Sequence, residues 1–213
     1  MLLAFVMTRI EFFRKLIVKE NTNWKDKLIL SIIFGIYGVI GTYTGIPIKG
    51  AIANGRVIGV FIGGLLGGPF VGFMSGLIAG GHRFLIDIGG FTAFSCAFST
   101  FTEGIIGGLL KKRIDKSENK WTFALISGML AEVWQMIVIL VFSSPLKDAW
   151  ELVKIIGMPM IIANGIGISV CMSIIYGVSK DVETAEAFQA QLALKIADKT
   201  LIYFRKGLNE NTA

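Results

Sequence analysis

Residues 55–83 read GRVIGVFIGGLLGGPFVGFMSGLIAGGHR, and the way this stretch divides decides the fold. Gly55, Gly59, Gly63 and Gly67 form one ladder at four-residue spacing, and Gly68, Gly72, Gly76 and Gly80 form a second, with Pro69 just past the seam. That spacing lines each ladder along one helical face, where the missing side chains let another backbone approach closely, as small residues do between membrane helices. Proline cannot donate the N–H that would continue a helix, and it biases the preceding residue away from helical geometry. The stretch therefore reads as two short helices joined at Gly67-Gly68-Pro69. One unbroken helix would hold Arg56 and Arg83 about 40 Å apart, on opposite membrane faces. A hairpin brings them to the same side. Two cations brought together repel unless an anion sits between them, so the hairpin implies a site for a small carboxylate or similar anion.

Working outward, 54% hydrophobic residues, 17% charged residues and a mean hydropathy of +0.68 indicate a polytopic, all-α membrane helix bundle and argue against a soluble globular chain. Spans are expected at about 28–47, 91–110, 121–142 and 155–178, beside the glycine-rich hairpin. The apolar start Leu2 to Met7 is too brief to cross a bilayer alone, and no small-residue cleavage site follows it. It reads as part of a shortened first helix.

Loop charges test the hairpin independently, because cytoplasmic loops collect Lys and Arg. Arg9 to Lys27, Lys111 to Lys120 and the segment after Lys180 each carry a basic cluster. Only the hairpin puts all three on the cytoplasmic side. The outer side then holds the connection 48–55, the loop 81–90 and the mixed-charge loop 143–154. The net charge of +6 is an orientation signal, so no nucleic-acid partner is expected, and membrane lipid is. Cys96 and Cys171 fall within spans and suggest neither a disulfide framework nor a metal site. The chain carries no Walker loop or Ser-His-Asp arrangement, so neither an enzymatic centre nor a cofactor is expected.

Polar groups at membrane depth are expensive and call for partners. Thr92, Cys96, Ser99 and Glu103 follow one another at spacings of four, three and four, a polar stripe that lines a cavity below the arginines. Bland readings stand beside the functional one. Arg56 and Arg83 are also suited to snorkelling toward lipid phosphates, Thr92 to bonding its own helix, and His82 to a structural hydrogen bond as much as to a ligand or a pH response. Asn54 is placed to cap the helix that starts near Arg56. Glu132 and Gln135 share a helix face and suggest a hydrogen-bond network inside the bundle, with Asn164 another polar group at that depth. From Asp181 onward, Ala187, Ala190, Leu194, Ala197 and Leu201 recur at spacings of three and four, the pattern of an amphipathic helix that leaves the membrane and pairs with another helix.

The segments Ala53-Asn54-Gly55-Arg56, Gly64-Leu65-Leu66-Gly67-Gly68-Pro69, Gly76-Leu77-Ile78-Ala79-Gly80-Gly81-His82-Arg83 and Gly90-Phe91-Thr92-Ala93 resemble the membrane sensor domain of LytS-type histidine kinases. The tail from Leu194 to Leu201, with Arg205 and Gly207-Leu208, is similar to the linker preceding the GAF domain in that family. The resemblance covers nearly the whole chain. It implies a five-transmembrane receptor domain over 1–180 in the cell (inner) membrane and a cytoplasmic linker or output helix over 181–213. It also implies a homodimer, GAF and kinase modules beyond this chain, and a LytTR-type response regulator. Some members respond to small carboxylates such as pyruvate and others are tied to cell-wall autolysis. By motif, Arg56 and Arg83 match the arginines of the N-x-R and H-R elements, and Cys96 and Ser99 fall in the following polar helix. The expected ligand-binding set is Arg56, Arg83, Cys96, Ser99, Thr92 and His82. The alternative reading is a small-molecule membrane transporter or its substrate-binding subunit, since broken helices around a central site are common there.

Overall fold

The computed structural model describes residues 8–18 and 22–210, so the apolar start Leu2 to Met7 lies outside the described residues. Helix α1 (Glu11–Val18) precedes α2 (Trp24–Tyr43). A strand pair β1 (Ile46–Ile48) and β2 (Ala51–Ala53) leads to α3 (Arg56–Gly67) and α4 (Pro69–Leu85). Then come α5 (Ala93–Asp115), α6 (Lys120–Phe142) and α7 (Leu146–Glu210). Among the described residues α2, α5, α6 and α7 are long and apolar enough to cross a membrane. The protein is a multi-pass membrane helix bundle.

The hairpin forms where the glycine and proline chemistry put it. Gly68 ends α3 at φ 85° and ψ −173°, a backbone region open only to glycine, and Pro69 starts α4 where its missing N–H costs nothing. A Cβ built on Gly68 would meet the Lys111 side chain at 3.5 Å. The turn therefore sits beside the end of α5 that carries the basic run Lys111-Lys112-Arg113. With 12 residues, α3 rises only about 18 Å, so its first turn opens inside the bundle rather than at a rim.

The two ladders face different neighbours. A Cβ on Gly59 would lie 2.6 Å from the backbone nitrogen of Gly38 on α2, and one on Gly63 2.7 Å from Cβ of Phe34. The second ladder runs antiparallel along α5: a Cβ on Gly72 would sit 1.9 Å from the Gly104 carbonyl oxygen, on Gly76 3.0 Å from Phe101 Cα and on Gly80 2.7 Å from the Ala97 oxygen. Only glycine permits backbones this close. On the other flank α1 lays Phe13 against Phe34, centroids 6.1 Å apart, in the same buried cluster as Ile168 and Met172 of α7.

One expectation is refined and another corrected. First, the connection 48–55 carries part of a β-hairpin with a two-residue loop, with Ile46 paired to Ala53 and Ile48 to Ala51. Lys49 and Gly50 both take positive φ, 48° and 76°, the geometry whose twist suits tight hairpins. Second, the mixed-charge loop 143–154 is helical from Leu146 onward. The span expected at 155–178 and the amphipathic segment after Asp181 belong to one continuous helix, α7.

Candidate functional site

Arg56 opens α3. Gly55 occupies the N-cap, while the Asn54 side chain accepts the Arg56 backbone N–H at 3.0 Å and donates to the Ile52 carbonyl at 2.7 Å, so Asn54 caps the helix from one position further out. The Arg56 side chain is 1% exposed. Its Nε donates to Thr100 Oγ1 at 2.7 Å, Nη1 to Thr42 Oγ1 at 3.4 Å and Nη2 to the Cys96 carbonyl at 3.5 Å. Both threonine hydroxyls spend their protons on their own helices, Thr42 on Gly38 and Thr100 on Cys96. Their lone pairs are thereby turned toward the guanidinium.

Arg83 lies near the opposite end of α4 from Gly68 and is fully buried. Its Nη2 donates to Thr92 Oγ1 at 3.2 Å and pairs with Asp87 Oδ2 at 2.9 Å. Its Nε and Nη1 are buried without an acceptor. A buried cationic donor without a partner is costly, and an anion is what satisfies it. The two arginines are anchored along one helix, at Thr92, the N-cap of α5, and at Thr100, about 12 Å apart by helical rise. They stand on the same side of the break, as the hairpin requires, but at different depths.

Below Arg56 the site turns acidic. Glu103 and Glu132 are fully buried, and both oxygens of Glu103 and Oε2 of Glu132 find no hydrogen-bond donor. Arg56 lies within electrostatic reach of both carboxyl groups and of Arg83. Asn164 of α7 donates to Glu132 Oε1 at 2.6 Å and to the Asn54 carbonyl at 3.0 Å.

The structure thus brings Arg56 and Arg83 to α5 through Thr100, the Cys96 carbonyl and Thr92, while among the described residues no hydrogen bond joins Ser99 to either arginine. Thr92 is taken up by Arg83. Ser99 Oγ donates to the Cys96 carbonyl at 3.1 Å, keeping its lone pairs free to accept. Cys96, 3% exposed, packs in the cluster of Met136, Ile139 and Leu152. The partner of His82 is on α2: its Nε2 lies 3.1 Å from the Tyr43 hydroxyl, which ties α4 to α2. Nothing in the sequence singles out Thr42 or Thr100, although Thr100 follows Cys96 by four residues and Thr42 lies within the span expected at 28–47.

The profile of one protein family, the receptor domain described as "5TMR of 5TMR-LYT", matches residues 10–177. The chain belongs to this family. It is 41% identical to Sensor protein LytS of Bacillus subtilis over 99% of its own length and 38% of that relative's. It is 38% identical to Sensor histidine kinase YpdA of Escherichia coli, covering 94% of this chain and 35% of that protein. To Sensor histidine kinase BtsS of Escherichia coli it is 36% identical, over 99% and 38%. The chain spans under two fifths of the length of these relatives. No solved structure matches it. As a 5TMR-LYT chain it is the membrane receptor region of LytS-type sensor histidine kinases.

Proposed function

We propose that this receptor domain binds a small carboxylate of the pyruvate type from the extracytoplasmic side and relays its presence through α7 to a cytoplasmic kinase. One observation carries the reading: Arg83, fully buried, offers Nε and Nη1 to no acceptor. A carboxylate presents two oxygens in the spacing that a guanidinium fork matches. Arg83 receives it first, on the side of Thr92 and Asp87. Arg56, Cys96 and the free lone pairs of Ser99 form the deeper wall, and His82 orders α4 beside the entrance. Residues 1–180 form the receptor and 181–213 the linker, which pairs with a second copy through the stripe from Ala187 to Leu201. In the whole protein, GAF and kinase modules and a LytTR-type response regulator follow.

The test is a titration of the purified chain in detergent with pyruvate, lactate and acetate, read by thermal unfolding. A ligand that binds only the folded chain stabilises it by about 2.7 kcal/mol at a hundredfold excess over Kd. Stabilisation that saturates in the parent and is lost in Arg83→Gln and Arg56→Gln supports the site. Folded variants that bind as tightly as the parent place it elsewhere.

A further inference from the structure

We propose that Asn164 is a positioning residue that couples occupancy of the arginine site to α7, a regulation of the carboxylate site that rests on the reading above. The coupling follows an unbroken chain of hydrogen bonds. The backbone N–H of Arg56 is held by Asn54 Oδ1 at 3.0 Å, and the carbonyl of that same Asn54 accepts from Asn164 Nδ2 at 3.0 Å. The second proton of Nδ2 goes to Glu132 Oε1 at 2.6 Å, so one amide group joins the segment that leads into α3 to α6 and α7. Asn164 is 5% exposed, and each of its bonds would otherwise be a buried polar group without a partner.

Packing on the same face makes the link stiff. Gly167, one turn after Asn164, lies where a Cβ would come 2.6 Å from Ile58 Cδ1, and a Cβ on Gly55 would meet Asn164 Oδ1 at 3.6 Å. The first turn of α3 therefore rests on two successive turns of α7. Five residues earlier, Pro159 stands inside α7 and removes the ladder bond to the Ile155 carbonyl, which makes a local joint in an otherwise continuous rod. An anion that draws the Arg56 guanidinium toward Arg83 pulls on the α3 first turn. Asn54 and Asn164 pass that displacement to α7 on the linker side of the joint. The rod is the element whose position both ends bias.

The experiment places nitroxide labels at two exposed positions, Lys116→Cys at the end of α5 and Gln189→Cys on α7, and measures the distance between them with and without pyruvate. The expected result is a pyruvate-dependent change in the parent that disappears in Asn164→Leu, while pyruvate affinity stays within about threefold, below the roughly 5–150-fold range of typical allosteric coupling. An undiminished change in Asn164→Leu overturns the proposal. Asn164→Ser serves the same comparison where Asn164→Leu fails to fold. Absence of pyruvate binding in the parent sinks the reading of the site, and the relay is then decided without ligand. Arg56→Gln shifting the label distance in the parent but not in the Asn164→Leu background supports the relay; equal shifts in both overturn it.

Discussion

Arg83 pairs with Asp87 one helical turn further on, Nη2 to Oδ2 at 2.9 Å, and this carboxylate reaches the arginine from the partly exposed side, with a third of its own side chain open. Asp87 is thus the anion that holds Arg83, and under the proposed function it is expected to compete with a carboxylate that enters. Asp87→Asn is expected to raise the affinity for small carboxylates several-fold and to lower the melting temperature of the ligand-free chain, both read in one thermal-shift titration. Gly90→Ala offers a second route to the same end, because a Cβ at Gly90 would collide with the Asp87 carboxylate. A loss of affinity in both variants would make Asp87 part of the ligand's cradle instead of its rival.

Arg56 is the cation that faces the buried carboxyl groups of Glu103 and Glu132. Its guanidinium is held by Thr100, Thr42 and the Cys96 carbonyl, and deleting a buried donor that satisfies such acceptors costs about 1–3 kcal/mol for each one left unpaired. Arg56→Ala is therefore expected to lower the melting temperature strongly. Adding Glu103→Gln, which replaces the buried carboxyl group by an amide of the same shape, should recover part of that loss. Thermal unfolding of the two single variants and the double variant measures the interaction as a cycle. Additive losses would mean that Arg56 and Glu103 are energetically separate.

The glycine ladder makes a sharper contrast within one helix. Gly72→Ala drives a methyl group into the Gly104 carbonyl, and since backbone has to give way, the cost is expected at about 1–3 kcal/mol or more. Gly81, nine residues on in α4, has nothing within 4 Å of its would-be Cβ. There, alanine is expected to be neutral or to gain roughly 0.5–1 kcal/mol from helix preference. Unfolding curves of the two variants in the same detergent decide it. Equal effects would mean that α4 and α5 pack more loosely than their glycine contacts indicate.

What the sequence reveals follows from how local each signal is. Gly67-Gly68-Pro69 encodes its break in three residues, because the need for positive φ at Gly68 and the missing N–H of Pro69 hold in any surroundings. Arg56 and Arg83 stand out because each is a cation in an otherwise apolar stretch. The depth offset between them does not, since it depends on how far α3 and α4 slide along α5. Thr100 escaped for a related reason: Ser99 and Thr100 flank the line through Cys96 on either side, and only the position of Arg56 selects the threonine. The β-hairpin was readable in principle from Lys49-Gly50 between short apolar runs. The link from Asn54 to Asn164 joins residues 110 apart in sequence and has no local signature at all.

A transporter needs a path beyond its binding site, and the glycine contacts bear on that. Toward the Lys111 end of the bundle, α3, α4 and α5 meet backbone to backbone: would-be Cβ atoms lie 2.5 Å from the Gly104 oxygen at Gly64, 1.9 Å at Gly72, and 2.4 Å from Pro69 Cα at Gly108. Side chains can swing aside to pass a solute, but helices in main-chain contact have to separate as bodies, which forfeits the close packing that holds membrane helices together. Above this seal, Arg56 is tied to Thr42 of α2 and Thr100 of α5. A carboxylate that reaches Arg56 is expected to stop there. Vesicles reconstituted with the protein should therefore bind radiolabelled pyruvate in a saturable, Arg83-dependent manner and accumulate no more of it in their lumen than protein-free vesicles do. Luminal uptake that saturates and vanishes in Arg83→Gln would mean that the glycine seal opens, and would turn the same arginines into a transport site.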